Sequence, residues 1–330
     1  MRIAIDAMGG DHAPAKILQG AVEALALLEP GDELILVGDK AVIEQHVGAA
    51  IAGKPVRIEH ASQVITMDDS PVEAIRGKRD SSIVKMVKLA KEGQADAIIS
   101  AGNTGALVAA GVLMLKPLAG VERPGIAVTL PAKGGFVMMI DAGANPAAKP
   151  AHLHQYAVMA SLYMKALRGI EKPRVAILNV GTEDEKGTQL VKDAKELIKA
   201  DASLNFIGYV EGRDIPKGPC DVLVTDGFTG NVVLKVIEGW SEALVGAMTK
   251  ELMAEGPELA AKFQPVMGRL MKRYDHEEYG GALLLGVQGT FLKVHGSGGP
   301  RAIKNAVGAA KAAGRLGINA AVEAHLAPKA

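Results

Sequence analysis

A chain of 330 residues in which 37 Lys+Arg face 37 Asp+Glu has no net charge, which argues against a protein that coats nucleic acid. Aromatic residues are only 3%, too few for a base-stacking platform, and the single cysteine, Cys220, excludes an intrachain disulfide framework and a cysteine-cluster zinc site. No basic leader precedes a long apolar stretch and no uncharged apolar run reaches about 18 residues, so neither a signal peptide nor a membrane span is expected, and the cysteine usage fits the cytoplasm.

Short apolar runs alternate with helical stretches. Strands are expected at Ile3–Asp6, Leu34–Val37, Val56–His60, Ala97–Ser100, Ile126–Leu130, Phe136–Asp141, Val175–Val180, Asn205–Tyr209 and Asp221–Thr225. Helices are expected at Ala15–Leu28, Ser81–Glu92, Ala151–Arg168, Thr188–Ala200 and Asn231–Lys250. Several strands are apolar on both faces, as strands covered by helices on each side must be. The alternation predicts an α/β fold with a largely parallel central sheet, and ligands then sit beyond the carboxyl ends of its strands. Residues 240–275 read as helix without strand signal, and Ala302–Ala327 reads as one long helix ended by Pro328. No low-complexity linker divides the chain, so one domain over 1–330 is expected, with any division made by a cleft.

The strand-end loops carry the polar chemistry. At the start, MRIAIDAMGGDHAP places Asp6 at a strand end, then Gly9, Gly10, Asp11 and His12 before Pro14. Acids do not cradle phosphate, so this loop reads as a polar wall. Asp11 has a plainer alternative as the cap of the next helix. Two other loops match each other: SAGNTGA, with Ser100, Asn103, Thr104 and Gly105, and TDGFTGN, with Asp226, Thr229 and Asn231. In each, strand, Gly-x-Thr-Gly and helix follow in turn. The helix N-terminus with its unpaired N–H groups favours an anion, although the same turn could simply start a helix. LNVGTEDEKG adds Asn179, Gly181 and Lys186, a cation that could neutralise developing negative charge or merely belong to a charged surface turn. Asp141 and Asn145 in DAGAN, and His295 in KVHG, are further polar strand ends.

Several motifs are missing. Gly48 to Lys54 imitates a Walker loop but ends in Pro55 and leaves a helix rather than a strand. There is no Gly-x-Gly-x-x-Gly, no Gly-x-Ser-x-Gly and no zinc-type histidine pair. Cys220, before a strand, reads as core rather than nucleophile. No metal and no cofactor are expected.

Taken together, DAMGGDHAP, SAGNTGA, DAGAN, LNVGTEDEKG, VTDGFTGNVVLK, YGGALLLG and KVHG resemble the bacterial phosphate acyltransferase family of phospholipid synthesis, in order from residue 1 to about 310. The resemblance implies a three-layer α/β/α sandwich around a largely parallel mixed sheet, similar to phosphotransacetylases and isocitrate-type dehydrogenases, and a homodimer. It implies transfer of a fatty acyl group from acyl carrier protein to inorganic phosphate, feeding a membrane glycerol-3-phosphate acyltransferase. A coenzyme A thioester as donor is the alternative. Direct attack by phosphate needs no enzyme nucleophile. On this reading Lys186, Asp226, Asn231 and His12 are catalytic, the other strand-end residues bind substrate, and Asp6, Asp11 and His12 form a polar wall that orients Lys186 or other donors. Phe263, Val266, Met267, Leu270 and Met271 fall at helical spacing beside basic residues, the pattern of an interfacial helix or of a buried face. The resemblance favours peripheral contact with an anionic membrane, and Pro265 is expected to split the segment into two short helices.

Overall fold

The computed structural model describes residues 1–274, 278 and 280–327. Its strands are β1 (Arg2–Asp6), β2 (Glu33–Gly38), β3 (Val56–His60), β4 (Ala97–Ser100), β5 (Gly125–Ala132) and β6 (Gly135–Ile140), then β7 (Arg174–Asn179), β8 (Asn205–Glu211), β9 (Val222–Val224), β10 (Ala282–Leu285) and β11 (Thr290–Lys293). They form one sheet in the order β3-β2-β1-β4-β11-β10-β5-β6-β9-β7-β8. The helices are α1 (Ala15–Ala24), α2 (Lys40–Ile51), α3 (Pro71–Gly77), α4 (Ser82–Lys91), α5 (Thr104–Ala110) and α6 (Pro150–Arg168). They continue as α7 (Gln189–Ala200), α8 (Gly227–Glu255), α9 (Pro257–Tyr274), α10 (Pro300–Arg315) and α11 (Ile318–Leu326).

Two apolar layers sandwich the sheet. One joins Ile3, Ile5 and Ile177 to α1, α6 and α10; the other joins Ile98, Leu130 and Leu223 to α4 and α5. Residues that alternate along a strand thus serve both layers, which is why a strand such as β7 is apolar on both faces from Val175 to Leu178. The α/β fold with a largely parallel sheet is as the alternation predicts, and the sandwich around a mixed sheet is as the resemblance implies.

One feature of the ladder governs the site. β10 is antiparallel to both β11 and β5, and β5 is antiparallel to β6. β1, β4 and β11 are mutually parallel, and so are β6, β9 and β7. The two halves of the sheet therefore run in opposite directions, with their carboxyl ends at opposite edges. Asp6, Asp141 and Asp226, each at or near a strand end, therefore do not stand in one row. Asp6, Asp11, His12, Ser100 and His295 belong to one edge; Asp141, Asn179, Lys186 and Asp226 belong to the other.

Three element predictions change. The short strands β10 and β11 were not expected. The C-terminal helix divides at Gly317, whose left-handed φ of 62° ends α10 and starts α11. Pro265 lies inside the continuous helix α9, and the chain turns instead at Gly256, with φ 127°, between α8 and α9.

Candidate active site

α8 begins at the edge where β9 ends and crosses the face of β5 and β10 towards the opposite edge. Beneath it lies a cavity of about 480 Å³ lined from both sheet edges: Asp11, Thr104, His295 and Lys293 from one, Gly143 and Asn231 from the other. Lys235 and Glu238 of α8 line it between them.

Lys293 ends β11, and its ammonium donates to the carbonyl oxygens of Ala101, at 3.3 Å, and Val294. Burial pushes its pKa down to about 8; Asp6 and Asp11 pull it back up and Lys235 adds to the lowering. Among the described residues no carboxylate forms an ion pair with it. Lys235, by contrast, has its partner in Glu238 at 3.1 Å and also donates to His295 Nε2 at 2.8 Å. An ammonium can only donate, so Nε2 of His295 is the acceptor. Its Nδ1 lies 2.8 Å from Ser297 Oγ and accepts from Ser297 N at 3.4 Å. An imidazole, a lysine paired with Glu238 and a desolvated lysine with no ion pair among the described residues thus converge on one cavity. Lys293 is the group that an incoming anion would neutralise.

Of the residues expected from sequence to act, only Asp11, Thr104, Asn231 and His295 line this cavity. Most of the others hold the loops that shape it. Asp6 is buried and accepts from Ser100 Oγ at 2.7 Å and Met8 N at 3.2 Å; burial raises its pKa. Ser100 Oγ in turn accepts from Gly102 N at 3.0 Å. Gly9 admits no side chain, because a Cβ there would collide with the Asp6 carboxylate and Gly102 N, and Gly10 has a φ of 108°. Asn103 caps α5 through Ala106 N and donates to the carbonyls of Thr66, Met67 and Asp69, fixing the loop that brings Met67 to the cavity. Gly105 packs against Pro71.

At the other edge Asp141 is fully buried and accepts from the backbone N–H groups of Ile126, Gly143, Ala144 and Asn145 at 2.7 to 3.1 Å. It is a staple rather than a substrate ligand. Asn145 donates to Asp141, to Pro124 O and to Tyr156 Oη, so it too is committed to structure. Asp226 caps α8, accepting from Thr229 N at 2.9 Å and Thr229 Oγ1 at 2.7 Å, which occupies the threonine hydroxyl. Asn179 donates to the carbonyls of Gly181 and Lys186 and so folds the 181–187 loop upon itself. Lys186 is exposed on that loop, outside the cavity lining. Because Asp6, Asp11 and His12 stand at the opposite sheet edge, they do not form a wall that orients Lys186. His12 is exposed and outside the lining, and Asp11 caps nothing: α1 has no side-chain cap.

Sequence reasoning passed over Lys293, Lys235 and Glu238. The signal was present in the same motifs. Strand alternation puts Lys293 on the face of His295 in KVHG, and Asn231, Lys235 and Glu238 recur at helical spacing after TDGFTG.

The interfacial stripe is divided by the packing of α9 on α8. Leu259, Phe263 and Val266 are exposed and Met267 is buried, which removes Met267 from any membrane contact. Leu270 is half-buried, and the side chain of Met271 lies outside the described residues. Along α8 a second apolar row is exposed at four-residue intervals: Phe228, Val232, Val236, Trp240, Leu244 and Met248. No helix among the described residues is long and apolar enough to cross a membrane.

Comparison with known proteins places this architecture. A phosphotransacetylase from Streptococcus pyogenes has the same fold, with a TM-score of 0.60 at 18% identity over 94% of each chain. A branched-chain phosphotransacylase from Enterococcus faecalis matches at a TM-score of 0.60 and 15% identity, over 95% of this chain and 99% of that one. Among relatives in sequence, the phosphate acyltransferase of Myxococcus xanthus is 45% identical over 327 residues, 97% of this chain and 92% of that protein. That of Heliobacterium modesticaldum is 47% identical over 336 aligned residues, 100% of this chain and 98% of that protein. The family model described as fatty acid synthesis protein matches residues 1–321. The chain belongs to the fatty acid synthesis protein family.

Proposed function

We propose that this chain is an acyltransferase that moves a fatty acyl group from a carrier-protein thioester to inorganic phosphate, in the Lys293 cavity and by direct attack. The observation that carries this reading is Lys293 itself, a desolvated ammonium without a carboxylate partner among the described residues, in a cavity also lined by Lys235, Thr104 and Asn231. The names of the relatives, phosphate acyltransferase, supply the reaction class.

In this reading Lys293 binds the phosphate that attacks the thioester carbonyl, and Lys235 and Thr104 stand where donors to the developing oxyanion are needed. Holding nucleophile and carbonyl together supplies several kcal/mol of the barrier, and donors aimed at the oxyanion supply more. The C–S bond breaks as the C–O bond to phosphate forms. The thiol, with a pKa of roughly 8.5 by analogy with cysteine, leaves as thiolate. The 181–187 loop flanks the Asn231 turn because β7 is hydrogen-bonded to β9. Lys186 is the cation that meets phosphate from that side.

No covalent acyl-enzyme is required. Cys220 is buried, and burial pushes its thiol up to about 12, so it holds no thiolate at neutral pH. Cys220→Ser is expected to keep turnover within about threefold of the parent, a change of no more than about 0.7 kcal/mol in barrier. Loss of activity in that variant, measured as phosphate-dependent thiol release, would move the mechanism to an acyl-thiol intermediate. Rates with acyl carrier protein and with coenzyme A thioesters, compared directly, decide between the two donors.

The acyl phosphate product combines a charged head and a fatty tail, which suits delivery at a membrane to a glycerol-3-phosphate acyltransferase. The exposed Leu259, Phe263 and Val266 of α9 serve reversible contact with an anionic cytoplasmic membrane face, and the exposed row on α8 serves a second copy in a homodimer. Phe263→Glu with Val266→Glu is expected to abolish flotation with anionic vesicles while turnover of a soluble donor stays near the parent. Equal loss of both would make the stripe structural.

A further inference from the structure

We infer that the alkyl chain of the acyl donor passes through a notch in the central sheet and lies in an apolar groove on the face opposite the lysine cavity. The inference rests on the acyl transfer proposed above and adds where the tail goes.

The notch follows from the ladder. β5 pairs with β10 only from Gly125 to Ala127, where Leu283 is the last partner, and then continues to Ala132 with β6 alone. Just before β10 come Gly280 and Gly281, both left-handed at φ 76° and 93°, so neither contributes a side chain beside the opening. A pocket of about 130 Å³ lies beyond it and shares two lining residues with the lysine cavity, Thr129 and Gly281. The two spaces are on opposite faces of the sheet: Ile126 and Val128 line the first, Ala127 and Thr129 the second, and successive strand residues point to opposite sides.

The character of the lining changes across the notch. The lysine cavity has Asp11, Lys235, Glu238 and Lys293 on its walls, whereas the second pocket is bounded by such residues as Met138, Leu167 and Leu292 and, among the described residues, by no charged side chain. Through Tyr163 and Leu283 that pocket adjoins a further one of about 180 Å³ between β10 and the α10–α11 turn, again with no charged residue among the described residues that line it. A polar head held at the lysines and an unbranched hydrocarbon tail match this sequence of linings. The carrier therefore stays on the α8 side, and chain length is read on the other.

The test uses the full chain. A 16-carbon acyl carrier protein thioester bearing a diazirine at its terminal carbon is irradiated with the protein, and the labelled peptides are mapped. Label in residues 150–168 and 300–320 is the expected result; label confined to 257–270 would place the tail on the outside of α9 and overturn the inference. In parallel, Ala312→Phe fills the outer end of the groove from an exposed helical position. It is expected to lower the ratio of kcat/KM for 16-carbon to 4-carbon donors about tenfold. An unchanged ratio would contradict the groove. Absence of phosphate-dependent turnover with every donor would overturn the transfer reading, while the labelling still decides the groove.

Discussion

Lys293→Met is expected to lower kcat/KM for phosphate by about 10²- to 10³-fold, the range seen when one charge-stabilising donor is removed from an active site. The same variant is expected to unfold at a higher temperature than the parent. The ammonium is desolvated, and its pKa falls from 10.5 to about 8 on folding. Its protonated form is therefore disfavoured in the folded chain. That cost, at most about 3 kcal/mol, is fully present below pH 8 and is relieved as pH rises from about 8 towards the unfolded value. A methionine of similar length removes it. Activity has the opposite sign: phosphate affinity should weaken as pH rises through about 8, because the ammonium is lost there. A variant that is both less stable and fully active would reject the assignment. Thermal unfolding and phosphate KM measured from pH 6.5 to 9.5 cover both halves.

Asp141→Ala is expected to cost at least about 4 kcal/mol and to leave little folded protein. Four backbone N–H groups lose their acceptor, and each buried donor left unsatisfied costs about 1–3 kcal/mol. Burial raises the pKa of this carboxyl while the donors lower it. Asp141→Asn keeps one acceptor oxygen and should be the milder change. Chemical denaturation of the two variants orders them. If Asp141→Ala folds normally and is merely inactive, the residue touches substrate after all and its role as a staple fails.

The two cases show what was legible in the sequence. β1, β4 and β7 are apolar on both faces, and such strands announce themselves because helices cover them on each side. β10 did not, since its four residues follow two glycines and carry no alternation. The loops were legible as polar, but density of Gly, Asn and Asp reports turn chemistry first. Asn103, Asn145, Asn179 and Asp141 spend their hydrogen bonds holding backbone. Which loops meet depends on the antiparallel insertion of β10 between β11 and β5, a long-range pairing with no local signature. Once that reversal is known, a lysine at the end of β11 and two charged turns of α8 become a site, and the lysine on the β7 loop becomes its outer neighbour.

Release of free thiol from a 16-carbon acyl carrier protein thioester, followed with and without inorganic phosphate, tests the central claim most directly. The account predicts release that requires phosphate, saturates with it, yields one acyl phosphate per thiol, and is lost in Lys293→Met. Thiol release at the same rate without phosphate, or full activity in Lys293→Met, would contradict it.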